Sequence, residues 1–139
     1  MPKKPSENTL EELKRNLAVL KLNAMLAHLD EALESASRLE QGYVSFLANL
    51  LGKEVLTRSD AATARRIKVA GFPVLKTFDT FDWTFQKSLN VTLVKDLMHL
   101  GFIKDARPVL MLGKPGTGKT HMATAFGVLA CHAGYRVRF

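Results

Sequence analysis

The sequence predicts an α/β chain. A helical module covers residues 1–70, an aromatic-rich connector 71–90, and the start of a parallel αβα domain 91–139, ending after its second strand. Three observations carry this reading. Leucines recur at three- and four-residue steps through the first quarter of the chain. Residues 72–90 then change character, holding five phenylalanines or tryptophans and little periodicity. From residue 109 onward an apolar run, a glycine-rich loop, an apolar helix, a glycine and a second apolar run follow one another, the order of a β-α-β unit.

In chain order, residues 1–8 (MPKKPSEN) hold two prolines and no apolar period, and are expected to fray. Thr9 with Glu12 forms a capping-box pattern ahead of an apolar run. Leu10, Leu13, Leu17, Leu20 and Ala24, then Leu22, Leu26, Leu29 and Leu33, mark one long amphipathic helix ending near Ser35–Ser37. A second helix starts after Gly42 with Tyr43, Phe46, Leu47, Leu50 and Leu51, and Gly52 is a candidate interruption. A third covers Asp60 to Ala70. Gly71-Phe72-Pro73 closes it, because glycine suits the position after a helix and proline disfavours a helical predecessor.

Phe72, Phe78, Phe81, Trp83 and Phe85 of the connector either fill a core, anchoring one module on the other, or stack on bases. Asp79 and Asp82 among them speak against a nucleic-acid surface. Val91 to Leu100 reads as a short helix, and Val109–Leu112 after Pro108 as a strand. A helix then runs from His121 to Ala133, with Met122, Ala125, Phe126 and Leu129 available to a sheet. Gly134 stops it, and Tyr135–Phe139 starts the next strand.

Between the first strand and that helix stands Gly113-Lys114-Pro115-Gly116-Thr117-Gly118-Lys119-Thr120, a full match to G-x-x-x-x-G-K-[ST]. Glycines at this spacing let backbone N–H groups approach phosphate oxygens without an intervening Cβ. The following helix points its positive end at the same anion. Lys119 would reach the β and γ phosphates of ATP and the Thr120 hydroxyl would ligate Mg²⁺. His121, next in sequence, is placed near the phosphates by its neighbour and is equally accounted for by helix packing. Only 19 residues follow Thr120 and none is acidic, so the carboxylate that a P-loop ATPase uses for Mg²⁺ and water is not among them. The reading is therefore of an incomplete ATPase domain. Its catalytic set is not complete, Lys119 alone supplying phosphate stabilisation.

Charge divides the chain. Residues 1–56 carry 7 basic and 8 acidic side chains, a net of −1, whereas residues 57–139 carry 13 and 5, a net of +8. A basic half suggests a polyanionic partner. Arg58, Arg65, Arg66 and Lys68 are the candidates for DNA phosphate, with a solvated helix face as the alternative. The longest stretch without Lys, Arg, Asp or Glu is 16 residues, Thr120 to Tyr135, too short for a membrane span. One cysteine, Cys131, excludes an internal disulfide framework and a cysteine zinc cage, and a cytoplasmic setting is expected. His28, His99, His121 and His132 share no ligand spacing, and Cys131 within LACHAG suits helix packing.

The connector FPVLKTFDTFDWTFQKSLN and the stretch LGFIKDARPVLMLGKPGTGKTHMATAFGVLACHAGYRVRF resemble the IstB-like transposition helper ATPases, relatives of the DnaC helicase loader in the AAA+ class. Lys114 and Pro108 stand where that family more often has proline and asparagine. The resemblance implies that Gly113 to Thr120 form a Walker A site for ATP and Mg²⁺ in an AAA+-like domain. It further implies that the full-length protein forms a homo-oligomer on double-stranded DNA and engages the transposase of the same element. A helicase-loading role and a non-catalytic DNA- or protein-binding fragment are the alternatives.

Overall fold

The computed structural model describes residues 7–139, and the order of elements in it is α1 (Glu7–Val19), α2 (Asn23–Arg38), α3 (Tyr43–Ala70), α4 (Val91–Leu97), α5 (Gly101–Lys104) and α6 (Lys119–His132). The chain divides into two compact units, Met1–Ala61 and Ala62–Phe139, and α3 contributes residues to both.

In the first unit the leucine stripe does form, but as two helices. α1 ends in a Schellman arrangement: the Leu22 amide donates to the Leu17 carbonyl at 2.9 Å and the Lys21 amide to Ala18 at 3.0 Å. Lys21 carries the left-handed conformation, φ 56°, that this motif demands. The apolar period survives the break because Leu17 and Leu22 both join the same core. Leu17, Met25, Leu29 and Leu50 are buried there, with Leu10, Leu26, Leu33 and Phe46 around them. Thr9 lies inside α1 rather than capping it, and of the segment expected to fray Glu7 and Asn8 are helical; residues 1–6 fall outside the described residues.

The second and third expected helices are one. α3 runs 28 residues without interruption, and Gly52 sits inside it with open space beside its backbone. Gly71, at φ 73°, stops α3 where expected.

Second-unit structure corrects the predicted α/β class. Among the described residues no segment is a β-strand, so the parallel αβα sheet is not formed and the architecture is all-helical. Side-chain alternation is present all the same: Val109 and Met111 are half-buried between exposed Leu110 and Leu112, and Tyr135 and Val137 between exposed Arg136 and Arg138. A strand also needs a backbone partner. No backbone hydrogen bond joins Val109–Leu112 to Tyr135–Phe139. The Tyr135 and Phe139 amides go instead to the carbonyls of Ala130 and Ala70, at the ends of α6 and α3.

What holds this unit is an apolar cluster around α6. Phe78, Phe81, Val94, Leu100, Met122, Ala125, Phe126 and Ala130 are buried in it, with Trp83, Met111, Tyr135 and Val137 against its edge. Ring contacts organise it: Phe78 meets Phe126 edge to face at 4.8 Å and stacks on Trp83 at 5.8 Å. Three of the connector's five aromatics are thus core of this unit, whereas Phe85 is exposed. Asn90 caps α4 by accepting from the Leu93 amide at 3.0 Å. A left-handed Leu100, φ 58°, separates α4 from α5 inside the single helix expected over Val91–Leu100.

Candidate functional site

The glycine-rich loop leads into α6, and Gly118 is that helix's N-cap residue. Gly116 and Gly118 have φ of 79° and 85°, a region that costs an L side chain about 1–2 kcal/mol. Gly118 also lies over the Phe81 ring, 3.4 Å from where a Cβ would stand, and a Cβ on Gly113 would meet Thr117 Oγ1 at 3.2 Å. The loop is therefore built from glycine where backbone must lie close to its surroundings. No side chain caps α6, so the first-turn N–H groups of Lys119, Thr120 and His121 face the loop with the helix's positive end behind them.

Lys119 folds back over this loop. Its Nζ donates to the carbonyls of Gly113 at 2.8 Å and Lys114 at 2.7 Å, with Thr117 Oγ1 at 3.4 Å. Thr117 in turn donates to the Lys114 carbonyl at 2.9 Å. An ammonium group thus sits among the loop's own oxygens, beside the uncapped helix end. Together they make a concave, positive surface with no acidic side chain in the loop. Thr120 is exposed in the first turn, and Lys114 and Pro115 are exposed on the loop.

His121 turns away from that surface: its Nε2 donates to the Thr77 carbonyl at 3.0 Å and its ring meets Phe81 edge-on at 5.1 Å. Of the two readings of His121, this contact matches packing. Phe81 lies under both Gly118 and His121, so the connector buttresses the loop. The sequence offers Phe81 a place in a core or a base-stacking role but none beneath the glycine loop, and its place in an aromatic cluster ahead of the loop is the one signal of that contact. Beside the loop opens a cleft of about 540 Å³, lined by Leu93, Leu97, Val109–Gly113, Met122 and Phe126 among others.

The four cations proposed from sequence all lie on α3. Arg58 belongs to the first unit, where its Nε donates to Glu54 Oε1 at 2.8 Å and its Nη2 to the Lys21 carbonyl at 2.9 Å. Arg65, Arg66 and Lys68 belong to the second. Arg66 Nη1 donates to the Cys131 carbonyl at 3.3 Å, while Arg65 and Lys68 are exposed. Burial raises the pKa of the Cys131 thiol against the lowering effect of Arg66, and the side chain is buried. No group of His, Cys, Asp and Glu among the described residues could hold a metal ion, and no helix is long and apolar enough to cross a membrane.

The family model of the IstB-like ATP binding proteins matches residues 15–139. The chain belongs to that family. It is 38% identical over 130 residues to a protein of insertion sequence IS21 from Pseudomonas aeruginosa that is named as ATP-binding, covering 94% of this chain and 49% of that protein. A similarly named protein of insertion sequence IS232 from Bacillus thuringiensis subsp. berliner is 33% identical, over 89% of this chain and 50% of its own length. An insertion-sequence protein of Mycobacterium tuberculosis, also named as ATP-binding, is 35% identical over 91% and 51%. The chain thus spans about half the length of these relatives, and the loop lies within the family match.

Proposed function

We propose that this member of the IstB-like family binds ATP on its Gly113–Thr120 loop and serves as a helper in DNA transposition. The observation that supports it best is the loop itself. Left-handed Gly116 and Gly118 bring backbone close to a ligand, α6 offers uncapped N–H groups, and the Lys119 ammonium is already held over the loop. These groups suit a polyphosphate.

In this reading the loop is a Walker A site. The amides of Gly116 to Thr120 hold the phosphates, and Lys119 exchanges the Gly113 and Lys114 carbonyls for phosphate oxygens. Thr120, exposed in the first turn of α6, is the residue that would hold Mg²⁺, an ion that would supply charge neutralisation between phosphates. The adjoining cleft gives the nucleoside end apolar room. The relatives' names tie them to insertion sequences; the partners proposed with this reading, on the sequence resemblance, are double-stranded DNA, the transposase of the same element and further copies of the protein, in a cytoplasmic setting.

The test is a thermal shift with Mg·ATP on the wild type and on Lys119→Ala, with phosphate release followed alongside. At 100 times the dissociation constant a bound nucleotide stabilises by about 2.7 kcal/mol. A clear rise in the wild type that is lost in Lys119→Ala is expected. Equal responses, or none in the wild type, would overturn the assignment.

A further inference from the structure

Residues 77–84 of the connector form a turn that is bonded to itself. The Thr77 carbonyl accepts from Thr80 Oγ1 at 3.1 Å, and the Phe81 amide donates to the Phe78 carbonyl at 3.2 Å. Just beyond, Asp82 Oδ1 accepts from the Thr84 amide at 2.9 Å and from the Thr84 hydroxyl at 2.7 Å. Phe81 stands between these two closures, on backbone with little freedom, and its ring is buried.

That ring faces the glycine loop. Its Cε2 and Cζ lie 3.4 and 3.7 Å from where a Cβ on Gly118 would stand, so it fills the space that residue 118 leaves empty. Gly118, at φ 85°, is the N-cap residue of α6, and its backbone sets the direction of the first-turn N–H groups. Glycine has no side chain to restrict it, so a neighbour must. His121 ties the same helix end to the same turn. Its ring meets Phe81 edge-on at 5.1 Å and its Nε2 donates to the Thr77 carbonyl at 3.0 Å. Trp83 meets Phe81 from the connector, with centroids 5.0 Å apart and planes at 73°.

We infer that Phe81 is the positioning residue of the phosphate loop: its ring, held by the 77–84 turn and by His121, fixes the Gly118 backbone so that the α6 amides point at phosphate. This rests on the ATP site proposed above and says what keeps that site in shape. Donors held in place before a ligand arrives lose less freedom when it binds. Trp83 shares the ring. When Lys119 leaves the Gly113 and Lys114 carbonyls for phosphate, the rearranged loop reaches the indole through Phe81.

The experiment measures Mg·ATP affinity by titration calorimetry on the whole chain and follows the emission of Trp83, its only tryptophan, over the same titration. The wild type is compared with Phe81→Leu, His121→Ala, Phe102→Leu and Lys119→Ala. Phe81→Leu keeps an apolar side chain without the ring. Phe102→Leu makes the same change in the same cluster, where the ring meets Phe126 rather than Gly118 or His121. Phe81→Leu is expected to weaken Mg·ATP about tenfold and His121→Ala about threefold, with Phe102→Leu within about twofold of wild type despite its lower stability. Trp83 emission should change as the wild type saturates, and change far less in saturated Phe81→Leu. Equal affinity in wild type and Phe81→Leu, equal losses in Phe81→Leu and Phe102→Leu, or saturation of the wild type with unchanged Trp83 emission overturns the inference and leaves the ATP site standing. Where Phe81→Leu does not fold, unchanged affinity in the half-buried His121→Ala overturns it instead. A wild type that does not bind Mg·ATP, or binds it no better than Lys119→Ala, overturns the ATP site and this inference with it.

Discussion

The two units are closed by different physics. The second is an aromatic core, with Phe78 touching Phe81, Trp83 and Phe126 at centroid distances of 4.8–6.4 Å and eight side chains buried around α6. Among its described residues the first has four buried apolar side chains and, beside them, a buried carboxylate. Glu54 of α3 accepts from the Ala24 and Met25 amides at 2.9 and 3.2 Å, capping α2, whose own N-cap residue is Leu22 and offers no side-chain bond. Arg58 pairs with the same carboxylate and caps the end of α1 through the Lys21 carbonyl. One α3 turn thus satisfies both sides of the α1–α2 corner. A unit closed by charge answers to pH, and one closed by rings answers to volume.

The largest effect should come from taking volume out of the aromatic core. Phe78→Ala is expected to cost about 3–5 kcal/mol, the usual range for a buried phenylalanine. Trp83 is the single tryptophan and stacks on Phe78, so its fluorescence follows the second unit, whereas far-UV ellipticity follows the helices of both. The fluorescence transition should move sharply down in denaturant while part of the ellipticity change stays put. Coincident shifts of both signals would show that the units unfold as one and would break the contrast.

Glu54 sharpens it from the other side. Burial pushes this carboxyl up, but the Arg58 guanidinium and the Met25 and Ala24 amides outweigh burial and hold it below its ordinary 4.5. A lowered folded-state pKa gives stability that is fully present above about 4.5 and is lost as pH falls through the folded value. The first unit should therefore weaken on acidification in that range. Glu54→Gln keeps the shape, lowers Tm at pH 7 by about 5 °C, and removes this acid dependence. Wild-type and Gln chains with parallel pH profiles between 3 and 6, on the order of that window, would remove Glu54 from the account.

The leucine stripe, the stop at Gly71, the phosphate-type loop and the stop at Gly134 are all legible in the sequence, because each is written in residue types with a local cause. What was missed depends on partners far away in sequence. Glu54 lies 30 residues from the amide it caps, and only its i,i+4 pairing with Arg58 hints at a role. Val109–Leu112 and Tyr135–Phe139 read as strands because apolar runs on either side of a glycine loop and helix follow the order of a β-α-β unit, which says nothing of what the backbone bonds to. Phe78 and Phe81 were given two readings, and only their contacts with Phe126 and His121 separate them.

The helix stops teach the same lesson on a smaller scale. Gly134, at φ 92°, sends the Tyr135 amide back to the Ala130 carbonyl, and the sequence announces it with glycine. Lys21 and Ala106, at φ 56° and 51°, make the same i to i−5 closure at the ends of α1 and α5 with no glycine to show for it. The left-handed conformation costs Lys21 about 1–2 kcal/mol, and glycine would relieve it while loosening the unfolded chain by about 0.4–1 kcal/mol. Lys21→Gly should therefore stabilise the first unit by about 0.5 kcal/mol, a rise of roughly 2–4 °C. The Lys21 carbonyl remains for Arg58, so the corner keeps its cap. Lys21→Ala retains the Cβ and is the control that should gain nothing. If the alanine variant rose as much as the glycine one, the lysine side chain rather than its backbone would be the source of the strain. The corner would then be closed by charge alone.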